Sequence, residues 1–308
     1  MSETVLVLGA KGRFGRAASH AFHDAGWEVK AFARNWPQGA TNPNYIKIEG
    51  DAFDVNAVAK AAQGCDVIVN ALNPPYEKWE KDLPRLTHAV ISAAKDSGAI
   101  IMVPGNVYNF GKNMPPVLNE NTPHNAETRK GLLRIEMEKS YALAANDGVQ
   151  TIILRSGDFI EREKTGNWFD TYITPKVNLG KITYPGPIER MHAWAYLPDM
   201  ARAMELLAQK RSKLEPYSTF CFEGYNLTGA DLIKAMEVCR GRTLKISSMP
   251  WLIMRMMGLF SLSIKEVLEM QYLWKVSHAI DGTKLSEKLK GFQYTPIETA
   301  LIDALAGK

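Results

Sequence analysis

Apolar residues recur along the first half of the chain in two alternating rhythms. Short continuous runs, of which Val5-Leu6-Val7-Leu8 is the first, have the length and β-branched content of strands buried on both faces. Between them lie longer stretches whose apolar positions fall three and four apart, the spacing of one helix face. The pattern predicts strands over 5–8, 27–34, 45–48, 66–70, 99–103 and 150–155, and helices over 14–25, 55–62, 77–97 and 127–146. Strands alternating with helices need crossover connections, so the expected fold class is α/β with a doubly wound parallel sheet. A turn over Asn35-Trp36-Pro37-Gln38-Gly39 separates the second and third strands.

Beyond residue 155 the rhythm loosens into aromatic residues, prolines and longer connections. Helices are still expected over 198–209 and 229–240, with Asp199 and Thr228 as N-caps. The expected organisation is a nucleotide domain over 1–155 and a smaller C-terminal substrate lobe over 156–308, partly interleaved with it.

Gly9, Gly12 and Gly15 stand three apart, directly after the first strand. In a Rossmann-type βα turn the first such glycine makes the tight turn and the second lets the backbone approach a pyrophosphate. The third lets the helix pack on the strand. The helix beginning near Phe14 then directs free N–H groups at the phosphates. At the end of the second strand, a carboxylate suits the ribose 2′-OH of NAD, and a guanidinium suits the 2′-phosphate of NADP. No acid lies between Ala31 and Asn35, and Arg34 occupies the position, so NADP (NADPH) is the expected cofactor. Lys11 and Arg13 add positive charge against that phosphate, or are simply solvated. Asp51 accepts from the adenine amino group or shapes its own turn. Ala71, Leu72 and Asn73 follow the fourth strand, where ligands bind in such sheets.

Composition removes other classes. The 308 residues are 46% hydrophobic and 23% charged with net charge +4, and no basic block suggests a nucleic-acid surface. Cys65, Cys221 and Cys239 have no metal or disulfide spacing, His20 and His23 lack a third ligand, and no metal site is expected. The first strand begins so early that no signal peptide is read, and the apolar stretch 250–260 is too short to span a bilayer and contains Arg255. A cytoplasmic protein with no membrane partner is the expectation. His192 reads as a satisfied, half-buried histidine. Trp168, Phe169 and Tyr172 read as core in preference to a pocket wall, and the methionine-rich run 249–257 reads as core packing in preference to an adaptable lid or interface.

An ordered set of motifs then resembles the short-chain dehydrogenase/reductase superfamily, in its extended and atypical branches with the nucleotide-sugar epimerases and dehydratases. The carriers are the glycine triplet, Gly50-Asp51, Val107-Tyr108, Arg155-Ser156-Gly157, and Trp194 through Ala203. Leu227 through Leu232 and Gly291 through Pro296 complete the set, so the likeness covers most of the chain. It implies a homodimer built by pairing long helices.

The resemblance also implies a serine or threonine after the fifth strand and a Tyr-x-x-x-Lys pair on the next helix. The serine position holds Pro104, the tyrosine position Lys130 and the lysine position Arg134, so the usual trio is missing. Tyr108 to Lys112 repeats the spacing by letter but follows a strand, where i,i+4 residues share no helix face. Tyr108 is expected near nicotinamide and substrate. Lys130 and Arg134 do have helical spacing, and two readings stand. In one, Lys130 donates a proton with its pKa brought from ~10.4 to roughly 7–8 by burial and by Arg134, which also holds ribose or phosphate. In the other, both lie on a solvated helix face. The functional expectation is an NADP-dependent oxidoreductase acting on a small carbonyl or hydroxyl substrate. A nucleotide-sugar epimerase or dehydratase and a non-catalytic NADP-binding redox sensor are the alternatives.

Overall fold

The computed structural model describes residues 2–36, 42 and 44–306, so positions 37–39 of the expected turn lie outside the described residues. The chain runs β1 (Thr4–Leu8), α1 (Arg13–Asp24), β2 (Glu28–Ala33), β3 (Ile46–Glu49), α2 (Val55–Ala62), β4 (Val67–Asn70), α3 (Trp79–Ser97), β5 (Ile100–Gly105), β6 (Val117–Leu118), α4 (Arg129–Ala144) and β7 (Thr151–Arg155). It continues through β8 (Asp158–Ile160), β9 (Lys181–Tyr184), β10 (Met191–Tyr196), α5 (Leu197–Gln209), β11 (Tyr217–Cys221), β12 (Tyr225–Thr228), α6 (Gly229–Arg240) and β13 (Lys245–Ser248). Then come α7 (Trp251–Gly258), α8 (Leu262–Glu269), β14 (Ala279–Ile280), α9 (Thr283–Lys288) and α10 (Ile297–Ala306). The chain divides into two compact units. Unit 1 comprises Met1–Gly105, Leu133–Arg155 and Ala201–Phe220, and unit 2 comprises Asn106–Leu132, Ser156–Met200 and Cys221–Lys308.

Unit 1 is built on a seven-stranded sheet ordered β11-β7-β5-β4-β1-β2-β3. Every ladder from β3 across to β7 is parallel. The winding reverses between β1 and β4, which opens a crevice beyond the strands' carboxyl ends. The expected doubly wound α/β fold is therefore present. Both sheet faces are covered, so Leu6, Leu8, Ile68, Ile101 and Ile153 are fully buried with Val58, Ala89 and Tyr141. Each large side chain of this kind contributes roughly 1.5–3 kcal/mol on burial.

Several buried polar groups in this unit are paired across the fold. Asn70 Nδ2 donates to the Tyr141 hydroxyl at 2.7 Å. Burial raises that phenol to about 12, against the lowering effects of Asn70, Thr87 and Arg134. The Arg155 guanidinium donates to both oxygens of Glu138, at 3.1 and 2.8 Å. Trp27 Nε1 donates to Glu205 Oε1 at 2.9 Å, tying α5 to the start of β2.

Unit 2 carries three small sheets, β12-β10-β8, β13-β9 and β14-β6. Its core gathers Phe169, Ile173, Trp194, Trp274, Leu232 and Leu301, so Phe169 is core as expected. Thr228 caps α6 in a reciprocal box with Asp231, as its position predicts. Asp199 does not take the expected N-cap position. It lies inside the first turn of α5, and its carboxylate accepts from the Thr295 backbone N–H at 2.6 Å and hydroxyl at 2.8 Å. The methionine-rich run departs from its core reading. Met249 is buried, but Leu252, Ile253, Met256 and Met257 are half or more exposed, because α7 turns its apolar face outward.

Candidate functional site

The glycine loop of unit 1 is shaped by contacts that exclude side chains. Gly9 has φ +75°, and a Cβ there would meet the Ala71 carbonyl oxygen at 2.9 Å. At Gly15 a Cβ would fall 2.2 Å from the Gly9 carbonyl oxygen, so helix and turn touch through backbone. Gly12 is the N-cap of α1 and offers no side-chain acceptor, and the first turn has no acid. The opening N–H groups of α1, those of Arg13, Phe14 and Gly15, thus have no capping carboxylate, the arrangement that suits an anion at a helix N-terminus. Asn70 Oδ1 accepts from the Leu72 N–H at 3.2 Å, shaping the Ala71-Leu72-Asn73 segment beside Gly9.

The nucleotide-binding expectations converge on one edge of the sheet. Gly9 to Gly15 follow β1, Arg34 follows β2, Asp51 follows β3 and Ala71 to Asn73 follow β4. Arg34 and Asn35 are exposed, and Lys11 Nζ donates to the Asn35 side-chain oxygen at 2.6 Å and carbonyl at 3.2 Å. Lys11 is thereby held at the turn that carries Arg34, not free in solvent. Asp51 Oδ1 accepts from the Phe53 N–H at 3.0 Å, which is its turn-shaping role. Pro104 is the penultimate residue of β5, in register with Leu154 of β7.

The remaining expected residues are buried. Tyr108 opens the 3-10 turn Tyr108–Phe110, which ends at Gly111 with φ +73°. Tyr108 and Lys112 are therefore on no common helix, and Lys112 instead donates its backbone N–H to Glu127 Oε2 at 3.1 Å. A Cβ on Gly131 would come 2.5 Å from the Tyr108 carbonyl oxygen, so this turn abuts the first turn of α4.

Lys130 and Arg134 belong to no solvated face. Lys130 is fully buried and Arg134 is 8% exposed. Lys130 Nζ donates to the Glu266 carbonyl at 3.1 Å and Glu269 Oε2 at 2.7 Å, and also pairs with the Glu266 carboxylate. These three acceptors match the three N–H donors of an ammonium. The Arg134 guanidinium lies 4.5 Å from the centre of a Trp79 ring. Burial pushes the Glu266 carboxyl up, but Lys130 and Arg129 outweigh it and leave it below its ordinary range.

Sequence reasoning missed both carboxylates, because nothing local connects α8 to a lysine more than 130 residues earlier. It also missed the company of His192. That ring is buried, bonds Asp158 Oδ2 through Nε2 at 2.8 Å, and stacks on Trp274 at 4.2 Å and 6°. His278 meets it edge-on at 4.6 Å. Burial, with His192 adding to it, lowers His278 to about 3. Among the described residues no group of three or more His, Cys, Asp or Glu could hold a metal ion, and no helix is long and apolar enough to cross a membrane.

Comparisons with known proteins agree with this geometry. The UDP-N-acetylglucosamine 4-epimerase of Bacillus cereus superposes with a TM-score of 0.77 at 14% identity, with 100% of both chains covered. The UDP-glucose 4-epimerase of Bifidobacterium longum, solved with NAD+ and UDP, gives 0.77 at 15% identity over 99% of this chain and 97% of that one. The UDP-glucose-4-epimerase of Stenotrophomonas maltophila, with NAD and formylated UDP-arabinopyranose, gives 0.76 at 15% identity over 100% and 98%. At these identities the likeness is one of fold. No curated protein sequence matches the chain. A family model described as NAD(P)H-binding matches residues 9–183, more than half of the sequence, and with the glycine cradle in place the chain belongs to that NAD(P)H-binding family.

Proposed function

We propose that this protein is an NADP-dependent oxidoreductase that reduces or oxidises a small carbonyl or hydroxyl substrate. The observation that carries the reading is the cationic turn after β2. Arg34 stands exposed at the strand's end, Lys11 is bonded to the adjoining Asn35, and the turn from Ala31 to Asn35 contains no carboxylate. Such a site suits a ribose 2′-phosphate, which takes charge-assisted bonds from guanidinium and ammonium groups. Gly9, Gly12, Gly15 and the first turn of α1 would hold the pyrophosphate, with Arg13 and Phe14 donating from the backbone. Asp51 would serve the adenine side, and Ala71, Leu72, Asn73 and Pro104 would line the path toward the nicotinamide. The bound nicotinamide supplies or accepts the hydride.

Tyr108 is proposed to line the substrate position and Arg134 to hold ribose or phosphate. Lys130, with its donors matched to three acceptors, is proposed as a positioning residue that fixes the start of α4 against α8. The missing Tyr-x-x-x-Lys pair favours net hydride transfer over an internal oxidation and re-reduction cycle. The epimerase structures that share the fold keep nucleotide-sugar epimerisation as the second reading. The deciding experiment incubates the enzyme with NADPH and panels of small aldehydes, ketones and nucleotide sugars. Net NADPH consumption supports the oxidoreductase, and sugar interconversion without net consumption supports the epimerase. Tight NADPH binding with neither would favour a redox sensor.

A further inference from the structure

Helices α7 and α8 form a hairpin in unit 2 that presents apolar residues to solvent. Leu252, Met256 and Leu259 are 72%, 57% and 79% exposed, Phe260 is 92% exposed and Leu262 is 68% exposed. The hairpin itself is well anchored. Trp251 Nε1 donates to the Pro185 carbonyl at 2.7 Å, and the helices cross closely enough that a Cβ on Gly258 would lie 2.7 Å from Leu268 Cδ1. These side chains are therefore held outward by a folded element. A phenylalanine that keeps nearly all its surface touches almost nothing of its own chain, so the patch is a projecting tip.

Contiguous exposed apolar surface marks an interaction site, and charge identifies the partner. From residue 238 to 265 the sequence contains no Asp or Glu, yet it carries Arg240, Arg242, Lys245, Arg255 and Lys265. Glu266, the next acid, is directed to Arg129 and Lys130. A second copy is a poor occupant, because a two-fold contact would face these cations with themselves. An apolar tip whose own helices carry Arg255 and Lys265, with no acid before Glu266, complements an anionic interface with an apolar layer beneath it.

We propose that the α7–α8 tip docks this protein on the surface of anionic lipid bilayers. Leu259 and Phe260 enter the headgroup and acyl boundary, while Arg255 and Lys265 lie against lipid phosphates. This is binding in the interfacial plane, which requires no hydrophobic stretch of spanning length.

The test is co-sedimentation of the full chain with vesicles of phosphatidylcholine alone or mixed with phosphatidylglycerol. The expected result is preferential pelleting with the anionic vesicles, weakened by added salt. Leu259→Ser with Phe260→Ser should lower the vesicle partition constant by roughly ten-fold or more while leaving the melting temperature unchanged. Arg255→Glu with Lys265→Glu should abolish the preference for phosphatidylglycerol. Wild-type protein that stays in the supernatant with both vesicles would overturn the proposal. So would tip variants that pellet like wild type, or a solution dimer that the serine substitutions dissolve, which would give the patch to a second copy.

Discussion

The Lys11 ammonium bridges to Asn35, 24 residues away, donating to its side-chain oxygen at 2.6 Å and to its carbonyl at 3.2 Å. The glycine loop and the turn after β2 are thereby joined by a cation, with Arg34 next to the joint. NADPH should bind more tightly than NADH, and Arg34→Ala should lower that preference by about ten-fold, the scale of one charge-assisted contact. Calorimetric titration of both coenzymes gives the ratio, and a ratio unchanged by the substitution would refute the assignment.

Gly15→Ala places a methyl group where 2.2 Å separates it from the Gly9 carbonyl oxygen. Neither backbone segment can yield cheaply, since Gly9 is itself packed against Ala71. The variant should lose about 1–3 kcal/mol of stability and most of its NADPH affinity, measured by urea unfolding and coenzyme titration.

Lys130→Met removes a cation enclosed by Glu266 and Glu269. Leaving partly buried carboxylates without it should cost on the order of 3–5 kcal/mol. Lys130→Met combined with Glu269→Gln should recover part of the loss. NADPH affinity should change far less than stability, because the glycine loop is untouched. A Lys130→Met protein as stable as wild type would remove the ion cluster from the account.

Burial holds the His278 imidazole neutral down to about 3, whereas an unperturbed imidazole protonates near 6.5. Between those values the unfolded chain binds the extra proton, so this residue's contribution is intact above 6.5 and falls as the pH drops toward 3. Melting temperatures recorded from about pH 7.5 down to about pH 4 should decline, and His278→Asn should flatten the slope.

The strands were legible because burial on both faces leaves an unbroken apolar run, and the helices 55–62 and 229–240 match the structure to the residue. The glycine cradle and the Thr228 cap were legible for a related reason, since both are short-range agreements between neighbours in sequence. Asp199 carries the same local signature as Thr228, but Thr295, 96 residues on, claims its carboxylate. Lys130 is the stronger case. Its letters resemble a solvated face, and only the fold brings Glu266 and Glu269 to it. The run 249–257 failed differently, because apolar spacing defines a helix face without saying whether that face points into the protein or out of it.

The three-segment construction of unit 1 sets a rule for how the chain can be made. Its sheet takes an edge strand from beyond residue 216, where the Thr151 N–H donates to the Pro216 carbonyl at 2.8 Å, and Trp27 finds Glu205 178 residues later. A ribosome that has delivered only the first 155 residues has produced the whole Gly9–Gly15 loop but leaves β7 with an open margin and the indole of Trp27 unmet. The nucleotide half therefore finishes assembling only after much of the other half has been synthesised, so a truncation at residue 155 yields a sticky fragment instead of a minimal binding module.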